Sequence, residues 1–144
     1  LLKKAQEKIL HRELDNVEVV KSDGHGFQPG TPVDLVSFSY SLTMMPNWYQ
    51  VIDHAYSLLS PEGMLAVVDF YISEKHPQMG LKKHNTFTRH FWPLWFSHDN
   101  VFLSPDHLPY LLGRFEKCHL YEGINNLPYV PMGQVPYYSF VGKK

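Results

Sequence analysis

Residues 33–70 constrain this chain more than any other stretch, because they read as strand, loop, helix, tight turn and strand in succession. Residues 34–38 form a short apolar run with β-branched and aromatic members, the pattern of a buried parallel strand. Trp48, Val51, Ile52, Ala55, Leu58 and Leu59 recur at three- and four-residue steps, which draws one apolar stripe on a helix. Ser60, Pro61, Glu62 and Gly63 stop that helix: proline cannot continue it and glycine accepts a left-handed turn. Residues 64–70 are a second apolar run. Strand, crossover helix and strand make a right-handed βαβ unit. Ligands of such sheets sit beyond the carboxyl ends of the strands, here Phe38 to Ser41 and Asp69 to Tyr71.

The flanking segments extend the pattern. Residues 1–14 carry Leu2, Ala5, Ile9 and Leu10 on one helical face. Val17, Val19 and Val20 read as a short strand, closed by Lys21 and Ser22. After Tyr71 the aromatic residues crowd together. Phe87, Phe91 and Trp95 are four apart, so residues 81–98 predict a helix with an aromatic ridge, kinked or restarted at Pro93. Ser104, Pro105 and Asp106 read as a helix start and Gly113 as its stop. Residues 115–121 alternate like a strand, 122–136 read as a long loop, and 137–141 as a final strand. The last two strands predict an antiparallel pair closing an otherwise parallel sheet. The class is α/β.

At 44% hydrophobic and 19% charged over 144 residues, the composition is that of one folded domain. A net charge of −1 gives no bulk attraction to nucleic acid. The single cysteine, Cys118, excludes an internal disulfide and a cysteine zinc cluster, and reads as a core thiol in a strand. His84, His90 and His98 lack the spacing of a zinc signature, so no metal is expected. No apolar run approaches the roughly 20 residues of a membrane helix.

Several polar residues stand at strand ends. Asp23, followed by Gly24 and His25, can accept hydrogen bonds from an adenine amine or a ribose hydroxyl while glycine lets the backbone approach; the plain alternative is a turn. Ser39, Tyr40 and Ser41 can line a cleft, or simply cap a strand. Asp69 and Tyr71 flank the end of the second strand, one expected to face the cleft and the other the sheet interior. The aromatic segment can be core, a lid over a hydrophobic substrate, or an interfacial patch.

Taken together, the strand VDLVSFSYSLTMMPNW, the helix ending LLSPEG and the strand MLAVVDFY resemble the second half of a class I S-adenosylmethionine-dependent methyltransferase. RHFWPLWFSHDNVFLSPDHLPYL (residues 89–111) and VPYYSFVG (135–142) look like the methyltransferase of betaine-lipid synthesis. The resemblance implies a Rossmann-like sheet and S-adenosylmethionine as methyl donor. It implies diacylglyceryl homoserine as the lipid substrate, converted to its N,N,N-trimethyl betaine. By position it puts Asp23, Gly24 and His25 on the adenine side, and Ser39 and Tyr40 at the cofactor cleft. It suggests Tyr71, His90 and Tyr137 as catalytic candidates and Arg89 and Trp92 on the substrate side. The glycine-rich loop and acid of that family's first two strands have no counterpart here. Residues 1–144 are therefore expected to be the C-terminal part of one methyltransferase domain, and the resemblance suggests fusion to a 3-amino-3-carboxypropyl transferase domain. The expected location is the cytoplasm or the cytosolic face of a membrane, the endoplasmic reticulum if eukaryotic, with peripheral membrane contact. A methyltransferase for another acceptor, such as a quinone precursor, and a non-catalytic lipid- or protein-interaction module remain the alternatives.

Overall fold

The computed structural model describes residues 2–126 and 133–144. Helix α1 (Leu2–His11) is followed by a long coil, strand β1 (Val33–Ser39), a 3-10 turn (Leu42–Met44) and helix α2 (Trp48–Leu58). Strand β2 (Leu59–Phe70), helices α3 (Thr86–Ser97) and α4 (His107–Arg114), and strands β3 (Glu116–Asn126) and β4 (Gln134–Lys143) complete the order. The sheet runs β1-β2-β4-β3. β1 and β2 are parallel, from Leu35 opposite Met64 to Ser39 opposite Val68. β4 is antiparallel to both β2 and β3. The α/β class and the antiparallel C-terminal pair expected from sequence are both present.

Period-two alternation decides what β2 buries. Leu65, Val67, Asp69 and Tyr71 point to one face, where Phe140 and Tyr138 of β4 meet them. Ile52 and Ala55 of α2 and Leu108 and Leu111 of α4 pack on the same cluster. Each fully buried aliphatic side chain there contributes about 1.5–3 kcal/mol. A smaller cluster of Ile72, Trp92, Leu103 and Val135, joined by Phe70, Phe91 and Phe96, fixes α3 beyond the end of β2.

The structure corrects several local expectations. Val17, Val19 and Val20 form no strand; Val17 and Val20 are exposed, and among the described residues nothing pairs with them. Leu1 lies outside the described residues, and α1 ends at His11 rather than Leu14. There the Leu14 N–H donates to Ile9 O and the Glu13 N–H to Leu10 O, with Glu13 in the left-handed region. Residues 60–63 are an irregularity within β2 rather than a turn before it, because pairing jumps from Leu59 to Met64 across two residues of β1. The left-handed residue is Glu62 (φ 71°), not Gly63. Gly63 is there for room: a Cβ would lie 2.9 Å from Ser60 O and 3.1 Å from Leu59.

Further along, α3 runs through Pro93 and begins at Thr86, capped by Asn85, whose Oδ1 accepts the Thr88 N–H at 2.8 Å. α4 begins at His107; Ser104 Oγ instead accepts the Asp106 N–H in a preceding turn, and Gly113 lies inside the helix. The loop expected over 122–136 is mostly strand: β3 continues to Asn126 and β4 begins at Gln134, while 127–132 lie outside the described residues. Likewise the final strand, expected over 137–141, extends at its far end to Lys143. Cys118 is exposed, not core, as are Glu116, Lys117 and His119 around it on the edge strand β3, and the register shift between Lys117 and His119 makes it the extra residue of a bulge.

Candidate functional site at the carboxyl ends of β1 and β2

Asp69 organises this end of the sheet. It is fully buried, yet its carboxylate is surrounded by donors. Oδ2 accepts the backbone N–H groups of Ser41 (3.0 Å), Leu42 (2.8 Å) and Thr43 (3.3 Å). Oδ1 accepts the Thr43 hydroxyl and the Phe70 N–H, both at 2.8 Å. The exposed N–H groups at the start of a helical turn have no partner within it, and an anion there satisfies them. Asp69 thus caps the 3-10 turn from a different strand and pins the loop after β1. Burial raises its pKa above the ordinary carboxylate value, opposed by these hydrogen bonds. Asp69 and Tyr71 therefore share the buried face, correcting the expectation that they would point opposite ways. Residues two apart on a strand always share a face.

The pinned loop presents Ser39 and Tyr40 outward. Tyr40 occupies the left-handed region (φ 47°), donates its N–H to Val68 O at 2.8 Å and lays its ring 4.8 Å from Phe70. From Phe70 the aromatic contacts continue to Phe96 (5.4 Å), Trp92 (5.8 Å) and Phe91 (5.0 Å). A continuous run of rings thus joins the end of β1 to α3. Tyr137 pairs with Phe70 across the β2–β4 ladder and sits 6.0 Å from Tyr121. Desolvation, then the Tyr121 and Tyr40 phenols, raise its pKa.

Beyond the end of β2 lies a cavity of about 480 Å³. The Tyr71 N–H donates to Pro136 O at 3.2 Å, and Pro136 is one of its walls. Phe87, Phe91 and Trp92 supply rings, and Lys83, Asn85 and Gln134 supply polar groups. Its His84 is positioned by Ser73, whose N–H donates to Nδ1 at 3.0 Å and whose Oγ accepts the His84 N–H at 2.8 Å. With Nδ1 an acceptor, the ring proton is on Nε2. Burial, opposed by the Glu122 carboxylate, lowers the His84 pKa, so the ring is neutral at pH 7.

Tyr71 is not in the wall of this cavity, and its ring lies 5.0 Å from that of His84, which is. Its hydroxyl donates to Glu122, which also accepts the Lys82 N–H at 3.0 and 3.1 Å. Burial first, then Glu122, hold the phenol protonated throughout the ordinary pH range. Arg89 donates through Nε to Ser73 O at 3.0 Å, tying α3 to the loop after β2. His90 lies on the exposed side of α3.

The turn bearing Asp23, Gly24 and His25 is separate from these rings. It lies against the start of α2: a Cβ on Gly24 would come 3.1 Å from Val51, and His25 Nδ1 lies 3.4 Å from Asn47 Nδ2. His54 of α2 holds the same segment through Phe27 O at 2.6 Å. The structure therefore gathers Ser39, Tyr40, Tyr137 and Trp92 around Phe70 and α3, and leaves Asp23–His25 and His90 at its margins. Sequence reasoning missed Lys83, Asn85, Gln134 and the Tyr71–Glu122–Lys82 network. Only the Asn85 cap, two residues ahead of Phe87, the first ring of the ridge, carried a local signal.

No family model matches the chain. Over 54 residues it is 39% identical to trans-aconitate 2-methyltransferase of Escherichia fergusonii, covering 38% of this chain and 21% of that protein. The Escherichia coli O139:H28 enzyme of the same name matches over the same length at 37%. The chain thus spans about a fifth (21%) of the length of the curated relatives it matches. Among solved structures, a Bacillus halodurans protein assigned as a methyltransferase aligns over 99% of this chain and 78% of its own, at 18% identity and a TM-score of 0.72. The [4+2]-cyclase SpnF aligns over 99% and 62%, at 16% identity and a TM-score of 0.71. The N-methyltransferase NodS of Bradyrhizobium japonicum, solved with S-adenosyl-L-homocysteine, aligns over 99% and 62%, at 8% identity and a TM-score of 0.67. Fold likeness at such identities does not carry an activity, as the cyclase illustrates. With its parallel β1–β2 pair, its antiparallel β3–β4 closure and the loop held by Asp69, the chain has the α/β methyltransferase fold.

Proposed function

We propose that this chain is the acceptor-binding part of an S-adenosylmethionine-dependent N-methyltransferase, and that its acceptor is the amine of diacylglyceryl homoserine. The observation that carries the proposal is the ring-walled cavity beside the end of β2. A homoserine headgroup has one carboxylate and one amine that becomes a fixed cation. Lys83 with the Asn85 and Gln134 amides suits the carboxylate, and the faces of Phe87, Phe91 and Trp92 suit the cation. A tricarboxylate such as trans-aconitate, the acceptor named for the relatives above, calls for several cations; this cavity wall has one lysine and a neutral histidine.

Ser39 and Tyr40 fit the cofactor side, because the Asp69 latch keeps them outward on a fixed loop. Asp23 to His25 fit its adenine side, because Gly24 lets that turn sit against α2. S-adenosylmethionine supplies, when bound, a sulfonium methyl already activated for displacement by an amine lone pair. The chain's contribution is proximity and orientation: α3 holds the amine, and the Tyr40–Phe70–Phe96 rings keep water from the path between the two sides. Tyr71 and Tyr137, with raised pKa values, remain protonated at neutral pH, so the amine's proton leaves to water. We further propose that residues 1–144 are the C-terminal part of the domain. The open edge of β1, where Leu35 is 56% exposed beside an apolar groove of about 340 Å³, supports further strands pairing there.

Calorimetry of S-adenosylmethionine binding, on this chain and on one extended upstream, tests the cofactor side. Transfer of labelled methyl to diacylglyceryl homoserine, with trans-aconitate as rival acceptor, tests the acceptor side. The expected result is binding by the extended chain and labelling of the lipid amine alone, abolished by Trp92→Ala. Labelling of trans-aconitate in its place overturns the acceptor; no binding by either chain overturns the activity.

A further inference from the structure

We infer that the outward face of α3 is a seat for an anionic lipid surface. One side of this helix is already used: Trp92 and Phe96 pack into the smaller core and Arg89 is tied to Ser73. Phe87, Leu94 and Trp95, spaced i, i+7 and i+8, fall on the opposite side, with half-buried Phe91 between them and the core. Phe87 is 70% exposed, Leu94 69% and Trp95 46%. They form one ridge, with Phe87 stacked on Phe91 at 5.0 Å and Phe91 at 5.8 Å from Trp95. Rings on both sides of a helix are not what a water-facing surface requires, and such a patch marks a docking site.

Charge identifies the occupant. From Lys75 to His98 the chain has four histidines, none of its fourteen carboxylates and four lysines and arginines; Lys82 is bonded to Glu122 O and Arg89 to Ser73 O, which leaves Lys75 and Lys83 as the cations offered to a surface. A stripe of rings and leucine beside a purely basic segment is the composition of a helix lying in a membrane interface. At 12 residues α3 lies along the surface and does not cross it, and no helix among the described residues is long and apolar enough to cross. A second copy fits worse, because a two-fold contact would set this positive segment against itself. Phe87 and Phe91 also wall the cavity, so the ridge and the cavity share two rings. The seat goes beyond the proposed activity and does not rest on it, since vesicle binding is read without methyl transfer.

The test is flotation of the chain with phosphatidylcholine vesicles, with and without phosphatidylserine. The decisive variant is Leu94→Ser with Trp95→Ser: both side chains are exposed and lie outside the cavity, and circular dichroism checks that the fold is kept. The expected result is flotation with the phosphatidylserine vesicles, reduced by salt and by Lys75→Glu with Lys83→Glu, and weakened by about tenfold or more in the serine variant. Absence of flotation with either vesicle overturns the inference. So does undiminished binding by both double variants, or a dimer that the serine variant dissociates, which assigns the ridge to a second copy.

Discussion

Replacing Asp69 tests whether one carboxylate holds the loop that presents Ser39 and Tyr40. Five donors converge on it, but they are not equally dependent. Leu42 and Thr43 are buried, so their N–H groups cannot turn to water, whereas Ser41 and Phe70 are only half-buried. A stranded buried N–H costs about 1–3 kcal/mol. Asp69→Ala strands two of them, so the expected loss is about 2–6 kcal/mol, near the middle of that range because the Thr43 hydroxyl also loses its acceptor. In Asp69→Asn the amide oxygen can take the place of Oδ2 and keep the Ser41, Leu42 and Thr43 donors. The amide NH2 then faces the Phe70 N–H, which can hydrate, and the Thr43 oxygen, which can accept. Its expected cost is about 1–2 kcal/mol. Urea unfolding at pH 7, with an unchanged denaturant slope, measures both, and limited proteolysis across the loop reads local opening. Alanine and asparagine variants of equal stability, or an alanine variant within about 1 kcal/mol of the parent, would refute the latch.

Three further outcomes follow from other parts of the fold. His107 is fully buried, neither ring nitrogen has a hydrogen-bond partner among the described residues, and burial lowers its pKa from 6.5 to about 4. The unfolded chain therefore binds the proton more readily, and stability is lost as pH falls from about 6.5 to about 4, by roughly 3 kcal/mol from this residue; His107→Leu should flatten that limb of the acid unfolding curve. Glu62→Gly relieves a left-handed residue at the expense of its exposed ion pair with Lys143, so it should leave the melting temperature unchanged or raise it, while Gly63→Ala, pressed on Ser60 O, should lower it. Tyr71→Phe removes the hydroxyl donor to Glu122 and should cost about 1–2 kcal/mol in chemical unfolding; no loss would mean that the buried carboxylate is satisfied by the Lys82 backbone alone.

Local periodicity determined a good deal by itself. The apolar steps from Trp48 to Leu58 make α2 whatever surrounds it, the alternation of residues 64–70 makes one buried face of β2, and the four-residue spacing of Phe87, Phe91 and Trp95 makes the α3 ridge. These patterns are short-range, so the sequence carries them in full. Tertiary structure decided the rest. Val17–Val20 has strand composition but, among the described residues, no neighbour to complete its hydrogen bonds, so it stays coil. β3 and β4 extend past their apolar alternation because each supplies the other's ladder as far as Asn126 opposite Gln134. Cys118, an ordinary strand position by composition, is exposed because β3 lies at the edge of the sheet, a place that only the pairing decides. Asp69 meets donors 26 to 28 positions away, and Tyr71 meets a carboxylate 51 positions away. Such partners are fixed by which strand lies beside which, and no pattern confined to one segment encodes that choice.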